Sequence, residues 1–338
     1  MALVLVVAAG AGQTAVDQIG GRGYEASLAY GAPAGGGASL LRPPQGVDHQ
    51  RLRQALQEAG IELPEKTSLY AARVVRDGNG LRYQEFDAGD GAFATDFWPA
   101  SSIKVVAAVG TLEFLGGMGF TGDATVTTDE GSVSVRDLYE EAIRDSSNLA
   151  YDWLVSIAGV DWLNTQFLVP RNGFTATVIQ RSYTDPEYGV IPSPAMTISE
   201  GDRTVALPAR EVDRPYPCPD DGNCSDLLEL TDTVRRVVLA DEIPSWERFV
   251  IDREDLAELR QALLDSEGFI EAGAAPVLGP DVPVFNKPGE APEDDCVDVG
   301  VVDRDYVLGI TTPEDGLECA TVSQLAEVTL SFLQHLQP

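Results

Sequence analysis

Residues 99–104 read Pro-Ala-Ser-Ser-Ile-Lys, and they lead into a stretch that is apolar on nearly every side: Val105, Val106, Ala108, Val109, Leu112 and Leu115. A helix without a polar face has to be covered by other parts of the protein. We therefore predict a buried central helix that begins near Lys104. Ser101 and Lys104 lie three residues apart, which places them on the same side of one helical turn.

The segments before and after this helix differ in character. Before it, residues 49–60 have the apolar spacing of a helix, and two β-rich runs follow around the turn at residues 77–80. After it come further helical patterns, at residues 135–143, 149–158, 162–168, 227–239 and 255–264. Residues 170–225 are rich in Pro, Gly and charge and are interpreted as long ordered loops. The chain ends with β-rich runs and one closing helix, at residues 282–286, 297–302, 306–311 and 322–336.

This order of segments predicts an α+β fold rather than alternating βαβ units. Strands from both ends of the chain can form one antiparallel five-stranded sheet flanked by helices, and the middle then forms an all-helical lobe. We assign the α/β part to residues 48–98 and 270–338, and the helical lobe to residues 99–269. Residues 31–47, rich in Gly, Ala and Pro, indicate a flexible linker before one domain at 48–338.

Composition excludes several classes of function. The 338 residues contain 23 Lys+Arg and 54 Asp+Glu, so the formal net charge is −31, and we expect neither a nucleic acid nor a membrane as partner. Only two histidines, His49 and His335, are present. A histidine-rich metal centre is therefore excluded, a Ser-His-Asp triad is hard to build, and no metal or organic cofactor is expected. After the first residues, no apolar stretch reaches the roughly 18 residues of a membrane-spanning helix.

The chain start and the cysteines indicate an exported protein. Residues 1–12 resemble the back half of a secretory signal without its basic beginning, and the alternative is a buried first strand. Four cysteines allow three pairings, of which the nearest-neighbour pairs Cys218–Cys224 and Cys296–Cys319 are the simplest. No C-x-x-C spacing supports a metal site. Two disulfides imply an oxidising compartment, so we expect a secreted, periplasmic or cell-wall-associated protein.

Lysine is rare in this chain. Only Lys66, Lys104 and Lys287 occur, against twenty arginines, and a retained lysine indicates a role that arginine cannot fill, such as losing a proton. Burial lowers the pKa of an amine, so Lys104 can act as the base that a serine nucleophile at position 101 needs. The helix N-terminus also offers N–H groups to a developing oxyanion. The alternative is that Ser101 caps the helix while Lys104 reaches the surface.

Two other short motifs can complete a cleft. Residues 145–148 read Asp-Ser-Ser-Asn between two predicted helices, so Ser146 and Asn148 can point a hydroxyl and an amide in one direction. The alternative there is a helix cap and turn. Residues 285–289 read Phe-Asn-Lys-Pro-Gly and end a β-rich run, which places Lys287 at a strand edge. The alternative is an edge lysine that prevents aggregation.

The ordered set S-x-x-K, S-x-N and K-x-G resembles the motifs shared by class A β-lactamases and penicillin-binding D,D-peptidases. Residues 146–154 resemble the second motif of that family and the helix it opens, and residues 298–302 and 306–310 resemble its last two strands. The likeness extends over residues 48–338. It implies a serine hydrolase that works through an acyl-enzyme, with a β-lactam or a D-Ala-D-Ala-like peptide as substrate and a monomer as the default state.

The resemblance also implies a role for each motif residue. Ser101 is the expected nucleophile, Lys104 its proton acceptor and Ser146 the shuttle to the leaving nitrogen. Asn148 is expected to bind the substrate amide, and Lys287 to attract the substrate carboxylate. The expected oxyanion hole consists of the backbone N–H groups of Ser101 and of Glu290, which follows Gly289.

The chain departs from the family pattern at several positions. Ser147 stands where Asp is common, and we expect it to point away from the cleft. Pro288 replaces a hydroxyl residue, which proline can do only on an edge strand. Glu290 and the acidic residues 293–295 add negative charge beside the pocket.

The E-x-x-L-N motif that activates water in class A β-lactamases is missing, and Glu187 is the candidate base in a suitable region, with a solvated loop acid as the alternative. Without that base, acylation can stall, as in penicillin-binding proteins. The sequence thus predicts β-lactam hydrolysis first. D,D-peptidase or esterase activity and a non-catalytic wall-binding protein are the alternatives.

Overall fold

The computed structural model describes residues 46–336, except residues 79, 96, 186, 188, 213, 214, 219–221, 292–294 and 314–318. The predicted signal-like segment and nearly all of the linker therefore lie outside the described residues. The folded part begins with helix α1, which spans Arg51–Glu58 and buries Leu52 and Leu56.

Five strands from the two ends of the chain form one antiparallel sheet, as the sequence predicted. Its spatial order is β2, β1, β9, β8, β7. The strands span Ser68–Asp77 (β1), Gly80–Gly89 (β2), Val284–Ala291 (β7), Asp295–Val302 (β8) and Tyr306–Pro313 (β9). β1 pairs with β9, so the N-terminal hairpin and the C-terminal meander become one sheet. β7 pairs only with β8 among the described strands and is an edge strand.

Both faces of this sheet are covered, which follows from the alternation of apolar residues along its strands. On one face, Leu69 and Ala71 pack with α1 and with the closing helix, Ala320–Gln334. On the other face, Tyr70 and Ala72 belong to the large apolar core, and the helix Leu227–Val238 packs against β1, β8 and β9. The α+β fold class is therefore confirmed.

The second lobe contains six helices within the described residues and also a small sheet. The helices are α2 (Lys104–Gly117), α3 (Val135–Ile143), α4 (Asn148–Ala158), α5 (Val160–Trp162), α6 (Leu227–Val238) and α7 (Arg253–Leu264). The four-stranded sheet has the order β4, β3, β5, β6, with strands Thr125–Thr128 (β3), Gly131–Ser134 (β4), Met196–Glu200 (β5) and Arg203–Leu207 (β6). α8 (Phe269–Leu278) and α9 (Ala320–Gln334) follow later in the chain.

This small sheet corrects the prediction of an all-helical lobe and of loops throughout residues 170–225. Its strands have only four or five residues each, too few to show a clear alternating pattern. α8 was also missed, because Gly273 and Pro276 lie inside it and ordinarily argue against a helix.

The central helix α2 is buried as predicted: Val105, Val106, Ala108 and Val109 are fully inaccessible. The 18 residues Ala100–Gly117 are long and apolar enough to cross a membrane, so the prediction that no such stretch occurs was wrong. However, 78% of this stretch is buried inside the protein. That burial is typical of the core helix of a globular fold.

The two disulfides are those expected from nearest-neighbour pairing, Cys218–Cys224 and Cys296–Cys319. Their Cα atoms are 5.9 and 5.6 Å apart, in the usual range for a disulfide. The second one ties β8 to the residue before α9. Both bonds fit a protein of an oxidising compartment.

Candidate active site

The segment that carries Ser101 is a single 3₁₀ turn, Ala100–Ile103, directly before α2. Ala100 has a φ of 43°, a strained conformation for a residue with a side chain. The Lys104 N–H donates to the Ser101 carbonyl, so the turn continues into the helix. Ser101 is half-buried at the start of the central helix.

Lys104 is completely buried, although a lysine side chain ordinarily carries a positive charge and lies in water. Its Nζ donates to the Ser146 carbonyl at 2.5 Å and to Asn148 Oδ1 at 2.7 Å, and it lies 3.4 Å from Ser146 Oγ. Burial, and then the neighbouring charge of Lys287, lower the pKa of Lys104 to about 7, while Asp152 opposes the shift. A substantial part of the amine is therefore unprotonated at neutral pH.

Ser146 lies between α3 and α4 in a left-handed conformation, with a φ of 55°. The next residue, Ser147, caps α4: its Oγ accepts the Ala150 N–H at 3.2 Å. Ser147 is therefore used locally, as the N-cap of α4. Asn148 begins α4 and uses both ends of its amide, because its Nδ2 donates to the Tyr183 carbonyl at 3.3 Å.

Lys287 approaches the same hydroxyl from the sheet. It lies on the edge strand β7, is fully buried, and donates from Nζ to Ser146 Oγ at 2.9 Å. Burial lowers the pKa of Lys287 to about 8, and the carboxylate of Asp298 on β8 opposes the shift. Burial raises the pKa of Asp298 to about 6. The hydrogen bonds that Asp298 accepts from the Ile270 N–H and the Asn286 amide act in the opposite direction and lower it.

The residues after Lys287 bring β7 against the 3₁₀ turn. A Cβ on Gly289 would lie only 2.9 Å from the Ser101 N and 2.8 Å from the Ser102 N, so only glycine permits this approach. The preceding Pro288 is accommodated on an edge strand, the one position in a sheet where proline costs little. Glu290 is exposed and, by strand alternation, lies on the opposite face from Lys287.

The structure thus brings together Lys104, Ser146, Asn148 and Lys287 through direct hydrogen bonds, with Gly289 against the turn of Ser101. Among the described residues, the Ser101 hydroxyl makes no hydrogen bond with Lys104. Such bonds are often long before substrate is bound. The remaining site candidate, Glu187, is exposed on a loop, where its N–H donates to Asp185, and no described hydrogen bond links it to the cluster.

Two residues beside the cluster were missed from sequence. Asp152 accepts hydrogen bonds from Ser182, Tyr183 and Thr184 and so fixes that loop over the cleft. Its spacing of four residues from Asn148 on α4 was an available signal, because such residues share a helix face. No sequence signal places Tyr183 there. Within the described part of the chain, no cluster of His, Cys, Asp or Glu is arranged to hold a metal ion.

Solved structures with the same fold include class A β-lactamases and penicillin-binding proteins. A class A β-lactamase from Bacteroides cellulosilyticus DSM 14838 is 15% identical, with a TM-score of 0.55 over 84% of this chain and 97% of that chain. A mutant of PBP-A, solved as an acyl-enzyme complex with penicillin G, is 14% identical, with a TM-score of 0.58 over 85% of this chain and 97% of that one.

A mutant of the class A β-lactamase of the last common ancestor of Gram-negative bacteria is 16% identical, with a TM-score of 0.56 over 85% of this chain and 98% of that one. No curated protein matches the sequence. Residues 94–332 match the family described as "Beta-lactamase enzyme family". That match spans well over half of the chain, and the protein belongs to this β-lactamase family.

Proposed function

We propose that this protein is an exported serine hydrolase that forms an acyl-enzyme on Ser101, with the amide of a β-lactam as its leading substrate. The observation that supports this most is the pair of buried lysines, Lys104 and Lys287, which converge on the hydroxyl of Ser146. Burying two amines beside one hydroxyl costs folding free energy, and such a cost is expected where the arrangement serves a function. Their lowered pKa values are those that proton transfer at neutral pH requires.

Acylation uses the amine of Lys104 in its neutral form. A neutral amine has two N–H donors, which the Ser146 carbonyl and Asn148 Oδ1 can accept, and one lone pair remains to take a proton. In the proposed step, Ser101 Oγ attacks the carbonyl carbon while its proton moves to Lys104. The N–H groups of Ser101 and Glu290 stabilise the oxyanion.

Collapse of that intermediate completes the acyl-enzyme. The C–N bond breaks, the carbonyl reforms as an ester of Ser101, and the leaving nitrogen takes the proton of Ser146 Oγ. Ser146 is then reprotonated by the Lys104 ammonium, so the proton taken from Ser101 ends on the leaving group. The Lys287 ammonium, at 2.9 Å from Ser146 Oγ, lowers the cost of charge on that oxygen.

The same contacts suggest how substrate is held. Lys287 supplies positive charge for a substrate carboxylate in a protein whose net charge is −31. Asn148 is proposed to bind the substrate amide once its own side-chain amide no longer donates to the Tyr183 carbonyl. Pro288 offers no hydroxyl for the carboxylate, so binding of an anionic substrate relies on Lys287.

A penicillin-binding or D,D-peptidase activity is the second candidate, and a specific observation favours it. In the part of the chain that the structure describes, Lys104 Nζ is hydrogen-bonded to Ser146 and Asn148 and to no carboxylate, so no carboxylate is held against the proposed base as a second proton acceptor. Turnover through Glu187 remains a proposal, and it predicts that Glu187→Gln slows hydrolysis without slowing acylation. A lifetime of the acyl-enzyme of minutes or longer would favour the second candidate.

Intact-mass spectrometry of the full chain after incubation with penicillin G tests the proposal. We expect one covalent adduct, mapped to Ser101 by digestion, which Ser101→Ala abolishes and which the exposed-surface control Ser245→Ala retains. Nitrocefin turnover by the wild type then separates a β-lactamase from a stalled acyl-enzyme. Failure of every acylating probe, together with binding of a D-Ala-D-Ala peptide, would instead support the non-catalytic alternative.

A further inference from the structure

An aromatic wall lies beside the amine of the proposed base. The ring centroid of Tyr183 is 5.7 Å from Lys104 Nζ. Tyr183 stacks on Tyr151, with ring centroids 4.7 Å apart and an interplanar angle of 24°, and the ring centroid of Trp98 lies 6.4 Å from that of Tyr183. The Tyr183 ring therefore lies beside the amine, and two further rings pack against it.

Tyr183 is fixed in this place by polar contacts at each end. Its hydroxyl donates to the Ala100 carbonyl at 2.9 Å, next to Ser101 in the chain. Its backbone N–H donates to Asp152 Oδ1 at 3.0 Å, and its carbonyl accepts from Asn148 at 3.3 Å. One residue therefore contacts the nucleophile turn, the base and the substrate-binding amide.

The charges that face Lys104 are those of Lys287, which lowers its pKa, and of Asp152, which raises it. Asp152 already accepts hydrogen bonds from Ser182, Tyr183 and Thr184, and it holds the loop in place. Asp152 therefore holds the backbone of Tyr183, whose ring borders the amine.

We propose that Tyr183 is a positioning residue that keeps water away from the flank of Lys104 and so lengthens the lifetime of the acyl-enzyme. The inference rests on the proposed function. In hydrolysis of the Ser101 ester, water attacks the acyl carbon while a base takes its proton; the bond from that carbon to Ser101 Oγ then breaks, the acid forms, and the base returns the proton to Ser101 Oγ. In this account the lone pair of Lys104 is that base, and the aromatic ring beside it offers water no strong hydrogen-bond partner. The dry flank also favours the neutral amine that acylation uses.

The test uses penicillin G with the full-length protein, in which acylation and loss of the adduct are followed separately by quenched intact-mass spectrometry. For Tyr183→Ala we expect an adduct lifetime shorter by at least about tenfold, and a higher pH midpoint of acylation, because the amine is rehydrated. For Tyr183→Phe, which keeps the ring and loses the contact with Ala100, we expect about tenfold slower acylation and an unchanged lifetime. Tyr83→Phe and Trp246→Ala, aromatic changes outside the cleft, are the matched controls.

Each remaining outcome decides the matter. An unchanged lifetime and pH midpoint in a folded Tyr183→Ala variant overturn the inference while the proposed function stands. No adduct on the wild type overturns the proposed function and this inference with it. If Tyr183→Ala is unfolded at the assay temperature, Tyr183→Gln replaces it, since glutamine keeps the length of the side chain but binds water, and the same shortening is expected.

Discussion

Two sites in this protein bury basic side chains and shift their pKa values in opposite directions. On α6, Arg235 donates to Asp232 at 2.6 Å and to Glu247 at 3.3 Å. Burial opposes its charge, but Asp232 and the other partners outweigh burial, and the pKa of Arg235 is raised. In the cleft, Lys104 and Lys287 share a serine hydroxyl, and burial lowers the pKa of both.

The difference shows how a buried charge becomes reactive. A cation matched by carboxylates is held in its protonated form and contributes to structure, because breaking such a pair leaves a charge unpaired. An amine matched by hydroxyl, carbonyl and amide oxygens keeps its hydrogen bonds in either protonation state. The choice of lysine in the cleft and of arginine on α6 follows from this difference.

Lys104→Met should have the largest effect on activity. Removal of the proton acceptor is expected to slow acylation by penicillin G at least about 10³-fold. Stability should change by no more than about 2 kcal/mol, because the loss of hydrogen bonds is offset by the removal of a buried amine. Mass spectrometry and urea unfolding measure the two effects, and a strongly destabilised variant would contradict the comparison.

Arg235→Ala should show the opposite behaviour. It leaves the carboxylate of Asp232 buried and unpaired, so we expect the free energy of unfolding to fall by about 3–5 kcal/mol. The protein that remains folded should be acylated at the wild-type rate. A loss of acylation without a loss of stability would show that the arginine network belongs to the site.

Gly289→Ala tests the approach of β7 to the nucleophile turn. A methyl group 2.9 Å from the Ser101 N must displace the turn or the strand, and so disturb the proposed oxyanion hole. We expect acylation about 10²-fold slower, with a stability loss of about 1–3 kcal/mol. Wild-type acylation kinetics in this variant would exclude the N–H of Ser101 as an oxyanion donor.

A plot of the acylation rate against pH should have the shape of a narrow bell. It should rise as pH passes about 7, where Lys104 loses its proton, and fall above about 8, where Lys287 loses its charge. Stability should increase with pH above about 7, because the unfolded lysine still binds a proton there and the folded one does not. Acylation rates and melting temperatures across this range check both signs, and a flat rate profile would contradict them.

Added salt should change the pH midpoint of acylation very little, but it should measurably change the melting temperature. With a net charge of −31, the folded protein repels itself, so the melting temperature should rise with ionic strength. Buried charges are screened much less, so the pH midpoint of acylation should stay within about 0.3 units. A midpoint that moves with salt as far as that of an exposed lysine would show that the cluster is solvated.

Sequence was sufficient for those features that depend on local pattern. The apolar α2 and the rarity of lysine pointed to Lys104, and the spacing of motifs pointed to Ser146, Asn148 and Lys287, which the structure brings together. The motif order also led to the family that the comparisons show. The five-stranded sheet followed from the β-rich runs at the two ends of the chain.

Other features depend on contacts between distant segments and were not predictable in this way. The strands β3–β6 are stabilised by pairing with one another, and each is too short to show an alternating apolar pattern in the sequence. Tyr183 reaches Lys104 because Asp152, thirty-one residues earlier, binds its backbone N–H. Tyrosine at that position carries no local pattern, so its place beside the base emerges only from the folded chain.

The central claim, that Lys104 is neutral near physiological pH, can be measured directly because the chain has only three lysines. Labelling their side chains with nitrogen-15 and following the Nζ signals by NMR against pH gives three curves, which Lys104→Met and Lys287→Met assign. We expect Lys104 to titrate with a midpoint of about 7 and Lys287 with one of about 8. A midpoint for Lys104 near the 10.5 of a free lysine would contradict its role as the base.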